Sequence, residues 1–184
     1  ERPLLSGAHG KDMRRLLRRL EARGALRIGW AERDTVRATA VEFVAMHGVL
    51  KAHQGQTQTF TFGTAERDFP DWLAAEVAAQ RAGLFGAWLD GRLLGACVVL
   101  HAKQCACAYR SAWDLGAAKY GVGILLLTEA MVACRAAADT MFDLGPGEGA
   151  LQLRHDPGDE LAYRNDPAHG DGEIAVAAPS GAES

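Results

Sequence analysis

Two glycines separated by one residue, Gly121 and Gly123, lie near the start of the segment KYGVGILLLTEA at residues 119–130. A glycine turn at the start of a helix can point free backbone N–H groups and the positive end of the helix dipole at an anion. Glycine also lets the chain approach a pyrophosphate closely, because no Cβ stands in the way. The pattern therefore indicates either a phosphate-binding turn or a simple loop before a buried helix.

The four cysteines offer a second kind of chemistry. Cys105 and Cys107 alternate around one alanine and would face the same way on a strand. No histidine pair at ligand spacing accompanies them, so we expect reduced thiols and no metal. A nucleophilic Cys107 would need a partner such as His101 from a neighbouring strand, and the sequence has neither a GxSxG elbow nor a GxxxxGK[ST] phosphate loop.

The elements before this turn are predicted to be mostly helical. The apolar spacing and the turn residues predict, in order, a helix at 9–24, a strand at 25–31, a helix at 34–50, a polar loop at 54–68 and a helix at 69–83. In the last helix, Pro70 would lie in the first turn and Gly83 past the end. His47 falls on the apolar face of its helix, which favours a histidine at the edge of the core over a ligand.

The first predicted helix carries four arginines largely off its apolar stripe: Arg14, Arg15, Arg18 and Arg19. They form either a solvated face above a small core or a surface that binds phosphates or an anionic partner.

An antiparallel meander follows. It consists of strands at 84–89, 92–102 and 104–114, joined by turns at Asp90-Gly91 and Ala102-Lys103. After the glycine turn come a helix from Ile124 to about Ala138, a strand at 140–144, a turn with a brief helix, and one strand at 173–178. This order predicts an α+β domain with a mixed, mostly antiparallel sheet flanked by helices.

Length and charge limit the possible functions. A chain of 184 residues with 48% hydrophobic residues suits one globular domain. We expect no membrane span, no signal peptide and a cytoplasmic location, and the first residue, Glu1, suggests a truncated piece. Residues 1–37 carry ten Lys/Arg against five Asp/Glu, whereas residues 139–184 carry two against ten. This distribution disfavours an extended nucleic-acid surface.

Three segments together resemble the GNAT acyltransferase superfamily. They are SGAHGKDMRRLLRRLEARG, LDGRLLGACVVLHAKQCACAYRSAWDLGAAKYGVGILLLTEAM and FDLGPGEGALQLR, which span residues 6–154. Within the superfamily, the sequence is most similar to the CelD/BcsL-type branch of cellulose and polysaccharide biosynthesis, which is related to FemAB-like aminoacyl transferases. We therefore expect a GNAT-like domain at 1–155 and an acidic tail with one possible strand at 156–184.

The resemblance implies an acyl-CoA pyrophosphate seat formed by Lys119, Tyr120, Gly121, Val122, Gly123, Ile124 and Leu125. It also implies that Asp114 and Glu148 lie beside the cleft. This chain has Leu151-Gln152 where the branch usually has an aromatic residue and a lysine. Without the lysine, we do not expect position 152 to have the catalytic or carboxylate-binding role that it has in the branch. The full-length proteins of the branch are about twice as long, so we also expect a homodimer or contact with a missing N-terminal half.

GNAT-type transfer implies direct attack of an amine or hydroxyl on the thioester of acetyl-CoA or another acyl-CoA. Such a reaction needs a base, for which Glu148 and Asp114 are candidates, and a backbone N–H for the oxyanion. Either carboxylate can instead stabilise a turn or cap a helix. Tyr120 or Tyr109 is the candidate acid, and packing is the alternative role of either ring.

The favoured hypothesis is an acyl-CoA-dependent N- or O-acyltransferase that acts on a sugar, a polysaccharide precursor or a small amine. The first alternative is a non-catalytic GNAT-shaped module that partners a membrane-bound synthase through the arginine-rich helix. The second is a FemAB-like aminoacyl transferase, although the overall acidic charge disfavours transfer RNA. We expect acceptor recognition in the 54–68 loop and the C-terminal tail.

Overall fold

The computed structural model describes residues 7–56, 65–137, 139, 141–144, 161–165 and 172–176. In chain order, the elements of these residues are α1 (Gly7–Glu21), β1 (Leu26–Trp30), α2 (Val36–His53), α3 (Ala65–Ala78), β2 (Ala82–Leu89), β3 (Arg92–Ala102), β4 (Cys105–Trp113), a 3-10 turn (Ala118–Tyr120), α4 (Val122–Ala136), β5 (Met141–Asp143), β6 (Leu161–Asn165) and β7 (Gly172–Val176). Among them, no helix is both long and apolar enough to cross a membrane.

The strands form one mixed sheet in the order β1-β2-β3-β4-β5-β7-β6. Strands β1 to β4 pair antiparallel in chain order, β4 pairs parallel with β5, and β7 pairs antiparallel with both β5 and β6. The predicted fold class, a mostly antiparallel sheet flanked by helices, is confirmed.

The tight turn between β2 and β3 has the backbone that the sequence predicts. Asp90 and Gly91 both have positive φ, at 50° and 81°, as a two-residue hairpin turn requires. The next turn is formed by Lys103 and Gln104, one residue later than predicted, and Lys103 takes the left-handed backbone with φ of 58°.

Helices cover both faces of the sheet. Along β3, Cys97 and Val99 pack into a core with α1 and α4, whereas Ala96 and Val98 pack into a second core with α2 and α3. Because both faces are buried, β3 reads as a continuous apolar run instead of an alternating one. Strand β4 contributes to both cores, with Ala106 and Ala108 in the first and Ala112 in the second.

The predicted bounds of the third helix are wrong. Helix α3 begins at Ala65 and includes Pro70 in its interior, so residues 65–68 are helical and only residues 57–64 of the predicted loop lie outside the described residues. The helix ends at Ala78 because Gln80 takes a left-handed backbone with φ of 59°, and the N–H of Arg81 donates to the carbonyl of Glu76 at 2.9 Å. This is a Schellman-type end built without glycine.

Gly83 belongs to β2 and does not end the helix. It pairs with Val99 of β3, and a Cβ at Gly83 would lie 2.4 Å from the ring of Trp30. The glycine therefore makes room for an indole ring. Strand β6 was not predicted, β7 agrees with the predicted strand at 173–178, and the predicted brief helix after β5 lies outside the described residues.

Candidate active site

A bulged strand borders the site. β4 pairs with β3 along its length, but the register passes from Val98↔Arg110 to Val99↔Ala108, which leaves Tyr109 as an extra residue on β4. A bulge takes its residue out of the hydrogen-bond ladder and is common beside active sites. The sequence has no signal for this feature.

Among the described residues, the other edge of β4 is paired only near its start. The parallel pairs with β5 run from Cys105↔Met141 to Cys107↔Asp143. Within the residues that the structure describes, β4 therefore continues for six residues, 108–113, past the last parallel pair. An unpaired strand edge can take an extended ligand with amide groups as an added strand.

The glycine turn carries β4 into α4 and aims helix donors outwards. Gly121 is the N-cap of α4 and has a left-handed backbone, with φ of 66° and ψ of 29°. The first helical bond runs from the N–H of Leu125 to the carbonyl of Gly121 at 3.0 Å. The N–H groups of Val122, Gly123 and Ile124 therefore precede the helical ladder and remain as donors for an anion.

Close packing also explains both glycines. A Cβ at Gly121 would lie 2.9 Å from the side chain of Leu16 in α1, and a Cβ at Gly123 would lie 2.9 Å from the ring of Trp113 at the end of β4. The turn is thus held between α1 on one side and β4 on the other. Glycine at position 123 is needed by the fold itself, whether or not a phosphate binds.

Three cations surround the aromatic ring of this turn. The guanidinium carbons of Arg19 and Arg23 lie 5.3 and 5.2 Å from the centroid of the Tyr120 ring, and the ammonium of Lys119 lies 5.3 Å from it. These are cation–π distances, and all three cations are exposed. The end of the arginine-rich helix therefore lies next to the free N–H groups, an arrangement that the sequence alone did not predict.

Asp114 follows β4 directly, and its described contacts fix the turn. Its carboxylate forms an ion pair with Arg92 and accepts a hydrogen bond from the N–H of Ala117 at 3.1 Å. Its main-chain carbonyl accepts a second bond from the same N–H at 2.9 Å. These contacts favour the turn-stabilising alternative for Asp114. Glu148, the other candidate base, lies outside the described residues, as does Gln152.

An aromatic surface lies on the α3 side of β4. Tyr109, at the bulge, has its ring 6.4 Å from that of Trp72, and the guanidinium of Arg110 lies 5.1 Å from the Tyr109 ring. Trp72 is 40% exposed, which is unusual for such a large apolar side chain. The surface thus presents an exposed aromatic ring beside the bulge of β4.

His47 lies in the core below this surface. It is 1% exposed, and its ring lies 5.9 Å from that of Phe43. Burial, with the nearby charges of Arg110 and Lys51, lowers the pKa of His47 to about 4. The side chain is therefore neutral at pH 7, in agreement with the interpretation of a core histidine.

The thiols do not form a nucleophilic pair. Burial raises the pKa of Cys97 and of Cys134 to about 12, and burial with the charge of Asp143 raises that of Cys107 to about 11. A protonated thiol is a poor nucleophile. The Nδ1 atom of His101 lies 3.4 Å from a carboxylate oxygen of Asp139.

A parallel strand pair, a bulged β4 and a helix that starts at a glycine turn agree with the GNAT-like domain that the sequence resemblance implies. The sequence matches the model of the family described as acetyltransferase (GNAT) domain over residues 8–152. The chain therefore belongs to the GNAT acetyltransferase family. This membership confirms the predicted enzyme class and, with it, an acyl-CoA as the co-substrate.

Solved structures show the same fold at low sequence identity. A GNAT acetyltransferase from Brucella melitensis in complex with acetyl-CoA has a TM-score of 0.58 and 14% identity, covering 84% of this chain and 90% of that one. The ribosomal-protein-S18-alanine N-acetyltransferase of Escherichia coli has a TM-score of 0.53 and 13% identity, covering 85% and 97%.

A third similar structure comes from a different class of enzyme. It is the C-terminal domain (DUF2156) of a putative lysylphosphatidylglycerol synthetase from Agrobacterium fabrum, with a TM-score of 0.56 and 19% identity, covering 77% of this chain and 42% of that one. No curated protein sequence matches this chain significantly. At these identities the structures support the fold and not a particular acceptor.

Proposed function

We propose that this protein transfers an acyl group from acyl-CoA to a hydroxyl or amine of a saccharide or small amine, as a member of the CelD/BcsL-type branch. The observation that carries the proposal is the set of free N–H groups at the start of α4, flanked by the cations around Tyr120. Coenzyme A carries a pyrophosphate and a 3′-phosphate, and both match this positive surface.

The N–H groups of Val122, Gly123 and Ile124 hold the pyrophosphate in this proposal. Arg19, in the last turn of α1, and Arg23, two residues after the helix, lie beside the same turn, so they neutralise phosphate charge without contributing to the helix cap. The proposal therefore favours phosphate binding at the C-terminal end of the arginine-rich helix over a purely solvated face.

The β4 edge orients the rest of the acyl-CoA. The pantetheine arm contains two amide groups, which complement the backbone groups of residues 108–113 in the manner of an added strand. The bulge at Tyr109 turns a backbone N–H out of the ladder, where it can stabilise the oxyanion of the thioester. A preorganised donor of this kind typically contributes about 3 kcal/mol to transition-state stabilisation.

The proposed reaction is a direct displacement. The acceptor nitrogen or oxygen bonds to the thioester carbonyl carbon, the C–S bond breaks, a base takes the acceptor proton, and the thiolate leaves with a proton from an acid. Glu148 is the proposed base, since the carboxylate of Asp114 is engaged by Arg92 and Ala117. Tyr109 is favoured as the acid over Tyr120, whose ring is surrounded by binding cations.

The acceptor side is proposed to be the aromatic surface of Trp72 and Tyr109. Flat aromatic rings suit the apolar faces of sugar rings, and their polar tips suit sugar hydroxyls. This surface supports the saccharide acceptor expected for a polysaccharide-related branch.

Calorimetry with acetyl-CoA and longer acyl-CoAs tests cofactor binding, and a free-thiol assay with a panel of saccharides and amines tests transfer. We expect binding of acyl-CoA, and acceptor-dependent thiol release that falls about 100-fold or more in Glu148→Gln with binding unchanged. Absence of binding at millimolar acyl-CoA would contradict the proposal. Binding without thiol release for any acceptor would instead identify a non-catalytic binding module.

A further inference from the structure

Three side chains with metal-binding atoms meet at the end of α4 opposite the glycine turn. His101 lies near the end of β3, Cys134 lies in the last turn of α4, and Asp139 lies between α4 and β5. One ligand atom from each lies within 4.8 Å of the other two. We propose that these three residues bind Zn²⁺ or a chemically similar divalent transition metal.

The spacing of the three atoms is close to that of a metal site. In a tetrahedral zinc site with one nitrogen, one sulfur and one oxygen ligand, the ligand atoms lie roughly 3.4–3.6 Å apart. The Nδ1 atom of His101 is already 3.4 Å from a carboxylate oxygen of Asp139. The thiol of Cys134 needs a shift of about 1 Å, which a small side-chain rotation supplies.

The backbone around the cluster is fixed by hydrogen bonds. The N–H of Asp139 donates to the carbonyl of Cys134 at 3.1 Å, and the N–H of His101 donates to the carbonyl of Arg81 at 2.8 Å. The ring of Trp30 lies 5.8 Å from that of His101 and limits its movement. The ligands are therefore positioned before any ion arrives, which lowers the entropic cost of binding.

The cluster is sheltered but reachable. Cys134 is 1% exposed, the Asp139 side chain 11% and the His101 side chain 25%. Ions can enter at the histidine, and solvent can supply a fourth ligand. The metal displaces the proton of the Cys134 thiol when it binds. The resulting set of thiolate, imidazole and carboxylate ligands suits borderline-soft Zn²⁺, whereas a thiolate disfavours Mg²⁺ and Ca²⁺.

The cluster of His101, Cys134 and Asp139 does not include Cys105 or Cys107, the pair that the sequence analysis considered and did not favour as a metal site. It is also separate from the acyl-CoA turn, because twelve residues of helix between Val122 and Cys134 span about 18 Å. β5 begins two residues after Asp139 and pairs parallel with β4. A bound ion would join β3, α4 and the start of β5, so we expect it to stabilise the fold and not to take part in transfer.

The test is a cobalt titration of the chelator-treated full chain, followed by absorption. We expect one equivalent of Co²⁺ to give a near-ultraviolet thiolate charge-transfer band and intense visible bands of a tetrahedral site, both abolished by added Zn²⁺. At a zinc concentration about 100 times the dissociation constant, Tm should rise by about 5–10 °C.

Single substitutions test which cysteine thiol binds the Co²⁺ ion. Cys134→Ser should abolish the charge-transfer band, and His101→Gln and Asp139→Asn should each weaken binding at least about tenfold. The matched control is Cys107→Ser, which removes a thiol that lies opposite Asp143 on the neighbouring strand. We expect it to keep the band.

Absence of a thiolate band at saturating Co²⁺ would overturn the proposal and leave only a His101–Asp139 ion pair beside a thiol. Loss of the band in Cys107→Ser with retention in Cys134→Ser would overturn it equally. If circular dichroism shows that Cys134→Ser does not fold, unchanged Co²⁺ affinity in His101→Gln would overturn the proposal on its own.

Discussion

Replacing Arg19 and Arg23 by glutamine should weaken acyl-CoA binding while leaving the fold intact. Both guanidinium groups are exposed and lie within 5.3 Å of the Tyr120 ring centroid, beside the free N–H groups of α4. An exposed arginine–phosphate contact contributes about 1 kcal/mol, so each single variant should bind about fivefold more weakly and the double variant about 30-fold. The effect should shrink at high salt, because exposed charges are screened.

Calorimetry with CoA and with 3′-dephospho-CoA measures this effect and identifies the phosphate. If the two arginines contact the 3′-phosphate, the double variant should lose affinity for CoA and little for dephospho-CoA. If they contact the pyrophosphate, both ligands should lose affinity equally.

Arg15→Gln is the matched control. This arginine lies on the same helix but is paired with Asp12 at 3.3 Å and is 66% exposed. We expect the Arg15→Gln variant to bind CoA with the same affinity as the unaltered protein. Unchanged CoA affinity in the Arg19/Arg23 double variant would refute the assignment of α1 to phosphate binding, as would an equal loss in Arg15→Gln.

Three further predictions concern the turn and the core. Gly123→Val should destabilise the fold by about 1–3 kcal/mol, because its side chain meets the ring of Trp113; an unchanged urea midpoint would contradict this. Since the pKa of His47 falls to about 4 in the folded state, the free energy of unfolding should be highest above pH 6.5 and should fall by up to about 3 kcal/mol as the pH drops from 6.5 to 4. Urea titrations of His47→Gln should show a flatter pH profile. Asp114→Asn should keep activity within about tenfold, because it loses only the charge paired with Arg92; a loss above about 100-fold would make Asp114 the base.

The meander and the glycine turn could be predicted because their signals are local. Asp90-Gly91 specifies a tight hairpin by its backbone preference, and the GVG segment followed by an apolar run specifies a glycine start to a helix. The prediction that Gly83 ends a helix was wrong. Glycine is needed at this position because a side chain would collide with the ring of Trp30 on the neighbouring strand. Local sequence does not reveal such a contact.

The sequence predicted only the part of the site that is contiguous in the chain, which is the glycine turn at the start of α4. The position of α1 against Tyr120 depends on packing between residues about 100 positions apart, and the bulge at Tyr109 depends on the register of β3 against β4. The cluster of His101 with Cys134 and Asp139 is formed by three separate elements. None of these has a periodic signal in the sequence, because each arises from tertiary contact.

The start of α4 is proposed to hold the pyrophosphate of an acyl-CoA. A crystal structure of the protein with acetyl-CoA tests it most directly. We predict pyrophosphate oxygens within hydrogen-bond distance of the N–H groups of Val122, Gly123 and Ile124, with the thioester beside Tyr109 on β4. Acetyl-CoA bound elsewhere, with these three N–H groups in contact with solvent alone, would contradict the account.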